Sequence, residues 1–230
     1  EWSKISQDII RLNPHAFPDG DPARMKAGVR LNLPRKIVMN SAKEQVGNVM
    51  SVSGSVVAVD RNRVTRRLGV NHPIYLGDKI ITGEDGAVRL KMIDQAVLDL
   101  RCYSIMVIEQ YALKAANRSS IINLLQGSLR KVTGTIGDLT GDVYELKTPL
   151  ASVGVRGTEY ALRVFQAKGC GGTVDAEDGM YIKVIDGLVD IRNDGGQAVF
   201  ARGDTAYVAL PDKKPVKKKL AAGIIEPGKV

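Results

Sequence analysis

Two histidines, His15 and His72, are all the imidazole in this chain of 230 residues, so a Ser-His-Asp or Cys-His site would have to use one of them. Neither sits where a nucleophile or an orienting carboxylate accompanies it: His15 lies in a turn-rich loop and His72 between Asn71 and Pro73. No His-Glu-x-x-His and no Cys-x-x-Cys occurs, which removes the common zinc spacings. The acidic run Asp175-Ala176-Glu177-Asp178-Gly179 lacks the alternating ligands of a calcium loop and reads as an acidic turn. The nearest thing to a phosphate cradle, Gly154 to Thr158, lacks the lysine such a loop needs. The expectation is a protein with no catalytic residues, no metal and no cofactor, whose work is binding.

The most constrained backbone lies between Thr148 and Leu162. Tyr144, Leu146 and Thr148 alternate before it, and Tyr160, Leu162 and Val164 alternate after it, so two half-buried strands are joined here. Pro149 cannot donate to a ladder, while Gly154 and Gly157 open conformations closed to residues with a Cβ. Arg156 stands between those glycines. It either folds back over the turn, satisfying carbonyls or Glu159, or contacts an anion or a partner. Pro149, Gly154, Arg156, Gly157 and Thr158 are therefore read as a structural motif rather than as a reactive set.

The elements around it are strands. Aromatics make up only 5% of residues while there are 24 glycines, a balance that favours many short strands and turns over a helix bundle. From Gly47 onward, β-prone runs recur every eight to twelve residues or so, bounded by Gly, Asp or Asn. Val88, Leu90 and Met92 face one way with Arg89 and Lys91 opposite, and Ala96, Leu98 and Leu100 repeat the design beyond a turn at Asp94-Gln95. Gly54, Gly127 and Gly187 each open such a run, which suggests stacked rungs. Cys102 continues the inward alternation; it is a buried thiol or the partner of Cys170.

Upstream, Ile5, Ile9 and Leu12 recur at helical spacing, and Pro14 ends that helix. A loop from His15 to Lys26 then leads to a strand alternating Val29, Leu31 and Leu33. The organisation predicted is a small α+β segment over 1–34, a linker over 35–46, an all-β domain over 47–209 and a basic, proline-containing tail or linker over 210–230.

Net charge is +8, and Lys213, Lys214, Lys217, Lys218 and Lys219 crowd its C-terminal end. A second basic cluster, Arg61, Arg63, Arg66 and Arg67, occupies a hairpin loop without interleaved aromatics, which argues against nucleic acid and for other anionic polymers or acidic proteins. No apolar run approaches the ~18 residues of a membrane-spanning helix. The chain starts at Glu1-Trp2 without an apolar leader, any signal peptide having been removed or lying outside this stretch.

The run Thr148-Pro149-Leu150-Ala151-Ser152-Val153-Gly154-Val155-Arg156-Gly157-Thr158-Glu159-Tyr160 resembles the signature of the FecR-type domain, a bacterial envelope module. Leu76-Gly77-Asp78-Lys79-Ile80-Ile81-Thr82 and Gly127-Ser128-Leu129 look like further parts of that pattern, and the resemblance spans about Gly47 to Val208. It implies a β-solenoid or curled antiparallel β module. Ile9-Ile10-Arg11-Leu12-Asn13-Pro14, with Met25-Lys26-Ala27-Gly28-Val29-Arg30-Leu31-Asn32-Leu33-Pro34, resembles the second half of a LysM module, a small fold that binds peptidoglycan. That likeness implies glycan contacts at Asn13, Phe17, Pro18, Asp19 and Gly20. Together the resemblances imply a periplasmic, peptidoglycan-associated scaffold that docks envelope proteins or further copies of itself, or alternatively a regulator of sigma-factor signalling at the cell surface.

Overall fold

The computed structural model describes residues 2–32, 43–113, 118–136, 141–165, 176–220 and 224–225. The chain divides into two units, Glu1–Ala42 and Lys43–Val230.

The first unit opens with helix α1 (Trp2–Leu12). Just past its end the Asn13 side chain is fully buried; it donates to the carbonyls of Ile9 and Asn32 (2.7 Å each) and accepts from the Asn32 N–H at 2.6 Å. This amide ties the helix end to the returning chain. Two short 3-10 turns, Pro18–Gly20 and Pro22–Arg24, lie between. The strand predicted at Val29 and Leu31 is not formed, and the unit holds no strand among its described residues. The physical reason is the lack of a ladder partner: the backbone of Asn32 is satisfied by a side chain instead. Leu33, Pro34 and most of the expected linker lie outside the described residues.

The second unit is β throughout. Its strands are β1 (Gln45–Ser53), β2 (Val56–Val59), β3 (Thr65–Arg67), β4 (Pro73–Tyr75), β5 (Lys79–Thr82), β6 (Ala87–Met92), β7 (Val97–Leu100) and β8 (Ile105–Ala112). There follow β9 (Ser119–Val132), β10 (Val143–Lys147), β11 (Ser152–Phe165), β12 (Gly179–Asn193), β13 (Gly196–Ala201), β14 (Thr205–Val208) and β15 (Val216–Lys217). All fifteen belong to one connected sheet, antiparallel except where β10 runs parallel to β9.

Three long strands give this sheet its form. The first part of β9 pairs with β8 and β10, its last part with β7 and β11. Likewise β11 pairs with β10 before its bend and with β9 after it, while β12 pairs with β14 through Met180 to Lys183 and with β13 through Leu188 to Asn193. Each therefore runs through two half-sheets. One half is β3-β2-β5-β8 continued by β9, β10, β11, β12 and β13; the other is β4-β1-β6-β7 continued by β9, β11, β12, β14 and β15.

The bends fall at glycines of positive φ: Gly127 (91°), Gly157 (54°) and Gly187 (81°). A Cβ on Gly127 would stand 2.4 Å from Ser104 Cα, and one on Gly187 would stand 2.5 Å from the Gly157 carbonyl. Both positions require glycine for conformation and for space.

This corrects the stacked-rung expectation. A solenoid stacks successive turns in parallel register, whereas here the neighbours are antiparallel and three bent strands cross from one half to the other. The architecture is a curled antiparallel sheet. Gly54 does precede a strand, but Gly127 and Gly187 lie inside β9 and β12 as corners.

Both halves feed one apolar core, which includes Val49, Val88, Leu90, Leu98, Met106, Ile122, Leu146, Leu162, Ile182 and Ile191. Cys102, buried at the end of the inward row, is disulfide-bonded; Cys170, the chain's other cysteine, lies outside the described residues. The basic stretch after Leu210 is mostly exposed but touches the sheet at points: Pro215 is buried, β15 joins β14, and Ile224 closes a cluster with Tyr181 and Tyr207. Lys218 Nζ sits 3.9 Å from the Tyr207 ring centroid, so this lysine is held over an aromatic face.

The arginine cluster of the β2-β3 hairpin is divided by the fold. Arg66 turns inward and binds the fully buried Asp78 carboxylate with both terminal nitrogens, Nη1 to Oδ1 at 2.9 Å, over the ring of Tyr75. Its hydrogen bonds to Asp78 hold the guanidinium pKa above the usual arginine value. Arg66→Ala would strand Asp78 with only the Tyr75 N–H at 2.7 Å, and the expected loss is roughly 3 kcal/mol in chemical denaturation. Arg67→Ala, on the exposed side, should stay within about 0.5 kcal/mol of the parent.

Candidate functional site

The turn between β10 and β11 is built by Thr148. Its N–H meets the Ala151 carbonyl at 3.0 Å, and its hydroxyl accepts from the N–H groups of Leu150 (3.2 Å) and Ala151 (3.1 Å). Pro149, with no N–H to satisfy, takes the exposed position between. The two strands pair only through Leu146 with Val153 and Lys147 with Ser152 before β11 continues beside β12.

Gly154 and Gly157 then part company. Gly154 lies in regular strand opposite Asp190, and a Cβ there would meet only the Asp190 carbonyl, at 3.9 Å. Its backbone is open to any residue, contrary to the expectation for both glycines. Gly157 is the corner, and the register with β12 shifts between Arg156 and Glu159. Arg156 pairs with Leu188 through the ladder; its side chain is outside what is described, and so is the question of what its guanidinium meets.

Thr158 staples the corner. Its N–H donates to Thr133 Oγ1 at 2.8 Å, its hydroxyl donates to the Leu188 carbonyl at 2.9 Å, and its own carbonyl accepts from the Thr133 hydroxyl and N–H at 3.0 Å each. These bonds bind β11 to β12 where those two strands change half-sheet, and to the chain just past β9, whose own bend lies at Gly127. The absent Cβ of Gly187 is what lets Thr158 approach.

Immediately inside the corner lies a buried polar network that the motif alone did not disclose. Lys131 is opposite Tyr160 on β9 and only 1% exposed. Its Nζ lies 3.3 Å from Ser120 Oγ and 4.3 Å from the Tyr144 ring centroid. The hydroxyls of Tyr144 and Tyr160 meet at 2.7 Å, and Tyr111 donates to Asp94 Oδ1 at 2.5 Å. Asp94, in the β6-β7 turn, also accepts from the N–H groups of Ala96 and Ile136. Burial pushes the Lys131 amine down to about 7, against an attraction to Asp94 that works the other way. Burial raises Tyr111, Tyr144 and Tyr160 above the usual phenol range. A detectable signal was present: in the inward phase of β9, Leu129 is followed by a lysine where the pattern calls for an aliphatic.

Chemically this assembly positions strands. Lys131, Tyr111, Tyr160 and Asp94 are buried and Tyr144 is partly so, and no group of three or more His, Cys, Asp or Glu suited to a metal occurs among the described residues. In the first unit, Asn13 and Phe17 are buried, while Asp19 and Gly20 are exposed and Pro18 is partly so; Asp19 accepts from Arg24 at 3.2 Å.

Residues 78–190 match the FecR family, described as FecR protein. The matched FecR domain runs from the buried Asp78 through the bends of β9 and β11 to Asp190, just past the bend of β12. No curated protein matches the chain. Among solved structures, two crystal structures of a candidate anti-sigma factor from Parabacteroides distasonis are each 15% identical, with TM-scores of 0.46 and 0.45. They cover 60% and 61% of this chain and 57% and 58% of theirs, so this chain spans less than two thirds of their length. A structure described as a cell surface anchoring domain is 27% identical with a TM-score of 0.27, covering 27% of this chain and 82% of that one. No helix among the described residues is long and apolar enough to cross a membrane.

Proposed function

We propose that this chain is a non-enzymatic regulator of cell-surface signalling in the bacterial envelope, in which the FecR domain passes a partner's state onward by binding proteins. The observation that carries the reading is the FecR match across residues 78–190, which contains the whole Thr148-to-Tyr160 corner. A rigid corner holding three strands suits a module that presents surfaces rather than one that performs a reaction. A periplasmic location follows from the same reading.

Peptidoglycan attachment through the first unit is the weaker reading. Asn13 and Phe17, two of the five residues the LysM likeness points to, are buried, and the Asn13 amide is occupied by the unit's own backbone.

The test is transcript profiling of a deletion strain complemented in trans. The signalling reading expects a set of genes under an extracytoplasmic sigma factor to change on deletion and to return with the intact chain. An unchanged transcript profile, with the full chain sedimenting with purified peptidoglycan, would replace it with the scaffold reading.

A further inference from the structure

The two outward faces of the β unit are made differently. Across β6, β7, β9 and β11 the outer face of one half-sheet carries a ladder of charge: Arg89 to Asp99 at 2.6 Å, Arg130 to Asp99 at 3.1 Å and Arg130 to Glu159 at 2.6 Å. The other half-sheet carries such pairs on its later strands, Lys147 to Glu109 at 3.1 Å and Arg192 to Asp190 at 2.5 Å, but not across β2 and β5. On its outer face Val57, Ile81 and Ile105 stand side by side through the β2-β5 and β5-β8 registers, and Val59 and Val107 flank Lys79 in the next row. All five aliphatics are partly exposed, and on the adjoining strand Leu125 is 36% exposed. An antiparallel sheet with one solvated face ordinarily alternates apolar-in with polar-out; here the outward phase of β2, β5 and β8 is aliphatic at five positions, with Lys79 between Val59 and Val107 and Glu109 beyond Val107. A continuous apolar patch on a soluble surface marks a contact site.

Charge at the edge of this patch says what it contacts. Arg67 lies opposite Val57, Lys79 opposite Val59, and Arg61 and Arg63 occupy the β2-β3 turn beside them. All four are exposed, and no ion pair to any of them occurs among the described residues, whereas Arg66 is spent on Asp78. A second copy docking face to face would bring this basic edge into the same interface twice, on a chain already at +8. An anionic bilayer would be met without a Trp, Tyr or Phe among the outward residues of β2, β3, β5 and β8 to seat at headgroup depth. We propose that this face docks an acidic protein segment in extended form, its aliphatic side chains on the Val57-Ile81-Ile105 row and its carboxylates on Arg67 and Lys79. The proposal concerns a surface and stands whether or not the signalling reading holds.

The test uses the full chain and a labelled synthetic peptide alternating glutamate and valine, followed by fluorescence anisotropy. Peptides alternating lysine with valine and glutamate with serine serve as controls. Binding of the Glu-Val peptide is expected, at least tenfold tighter than either control and weaker with added salt. Arg67→Glu with Lys79→Glu should weaken it at least tenfold with the melting temperature unchanged, and Ile81→Thr with Ile105→Thr should do so in a chain that still melts cooperatively. Equal binding of the Glu-Ser peptide, or binding indifferent to the charge reversals, would overturn the proposal. So would association with phosphatidylglycerol vesicles in place of the peptide, or a dimer in sedimentation that the charge reversals abolish.

Discussion

Gly187→Ala should lower the stability of the β unit by about 4 kcal/mol, the sum of a left-handed backbone without glycine and an overpacked contact. At φ 81° the backbone disfavours any Cβ, and the Cβ would stand 2.5 Å from the Gly157 carbonyl and 2.9 Å from Thr158 Oγ1. Neither obstacle is the free end of a flexible chain. The carbonyl belongs to the corner of β11, and the hydroxyl is committed to Leu188. For a unit of this size the change corresponds to roughly 10 °C in melting temperature. Gly154→Ala is the internal control, because its Cβ meets nothing closer than 3.9 Å and its backbone is ordinary strand. That substitution should be neutral or stabilising by up to about 1 kcal/mol. Equal melting temperatures for the two variants would show that the bends of β11 and β12 are not coupled as described.

The second large effect is electrostatic. Lys131 has an ordinary amine value of 10.5 in the unfolded chain and about 7 when folded, the cause being burial. Between those values the unfolded chain carries a proton that the folded chain lacks. Stability therefore rises with pH across this window by about 1.4 kcal/mol per pH unit, and below pH 7 the whole cost of burying the amine is present. The accumulated difference is on the order of 5 kcal/mol. Tyr111, Tyr144 and Tyr160 work oppositely: raised phenols stay protonated in the fold, so stability falls once unfolded tyrosine ionises near pH 10. Urea denaturation from pH 6 to 10 should show the rising limb in the parent chain. Lys131→Met should flatten it and be the more stable protein at pH 6. A rising limb that survives in Lys131→Met would assign the pH dependence to another group.

These two expectations depend on features of different legibility. Gly127 and Gly187 are visible in the sequence as recurrent punctuation, with Gly54, and Gly157 as part of a turn, but punctuation does not distinguish a residue that starts a strand from one that bends it. That distinction depends on whether hydrogen bonding continues on both sides, which is a property of the partner strands. The β class, the inward rows Val88-Leu90-Met92 and Tyr160-Leu162-Val164, and the Thr148 turn were readable because alternation and turn chemistry are local. Within the lysine-rich end the pattern does not show that Lys218 lies over the ring of Tyr207, which the pairing of β14 with β15 brings beneath it.

Arg66 and Arg67 show the limit most sharply. They are adjacent and alike in the sequence, yet one is locked to Asp78 and the other is displayed on a surface. Local pattern placed both arginines in a hairpin loop, whereas they stand on β3, and it made legible only that successive strand side chains point to opposite faces and that a turn joins two strands within Thr148 to Tyr160. Only the assembled sheet decided which face is core, where Asp78 waits for a partner, and which strands bend together. Those outcomes depend on pairing between residues distant in the chain, and burial turns an ordinary arginine or lysine into one that the rest of the fold must satisfy.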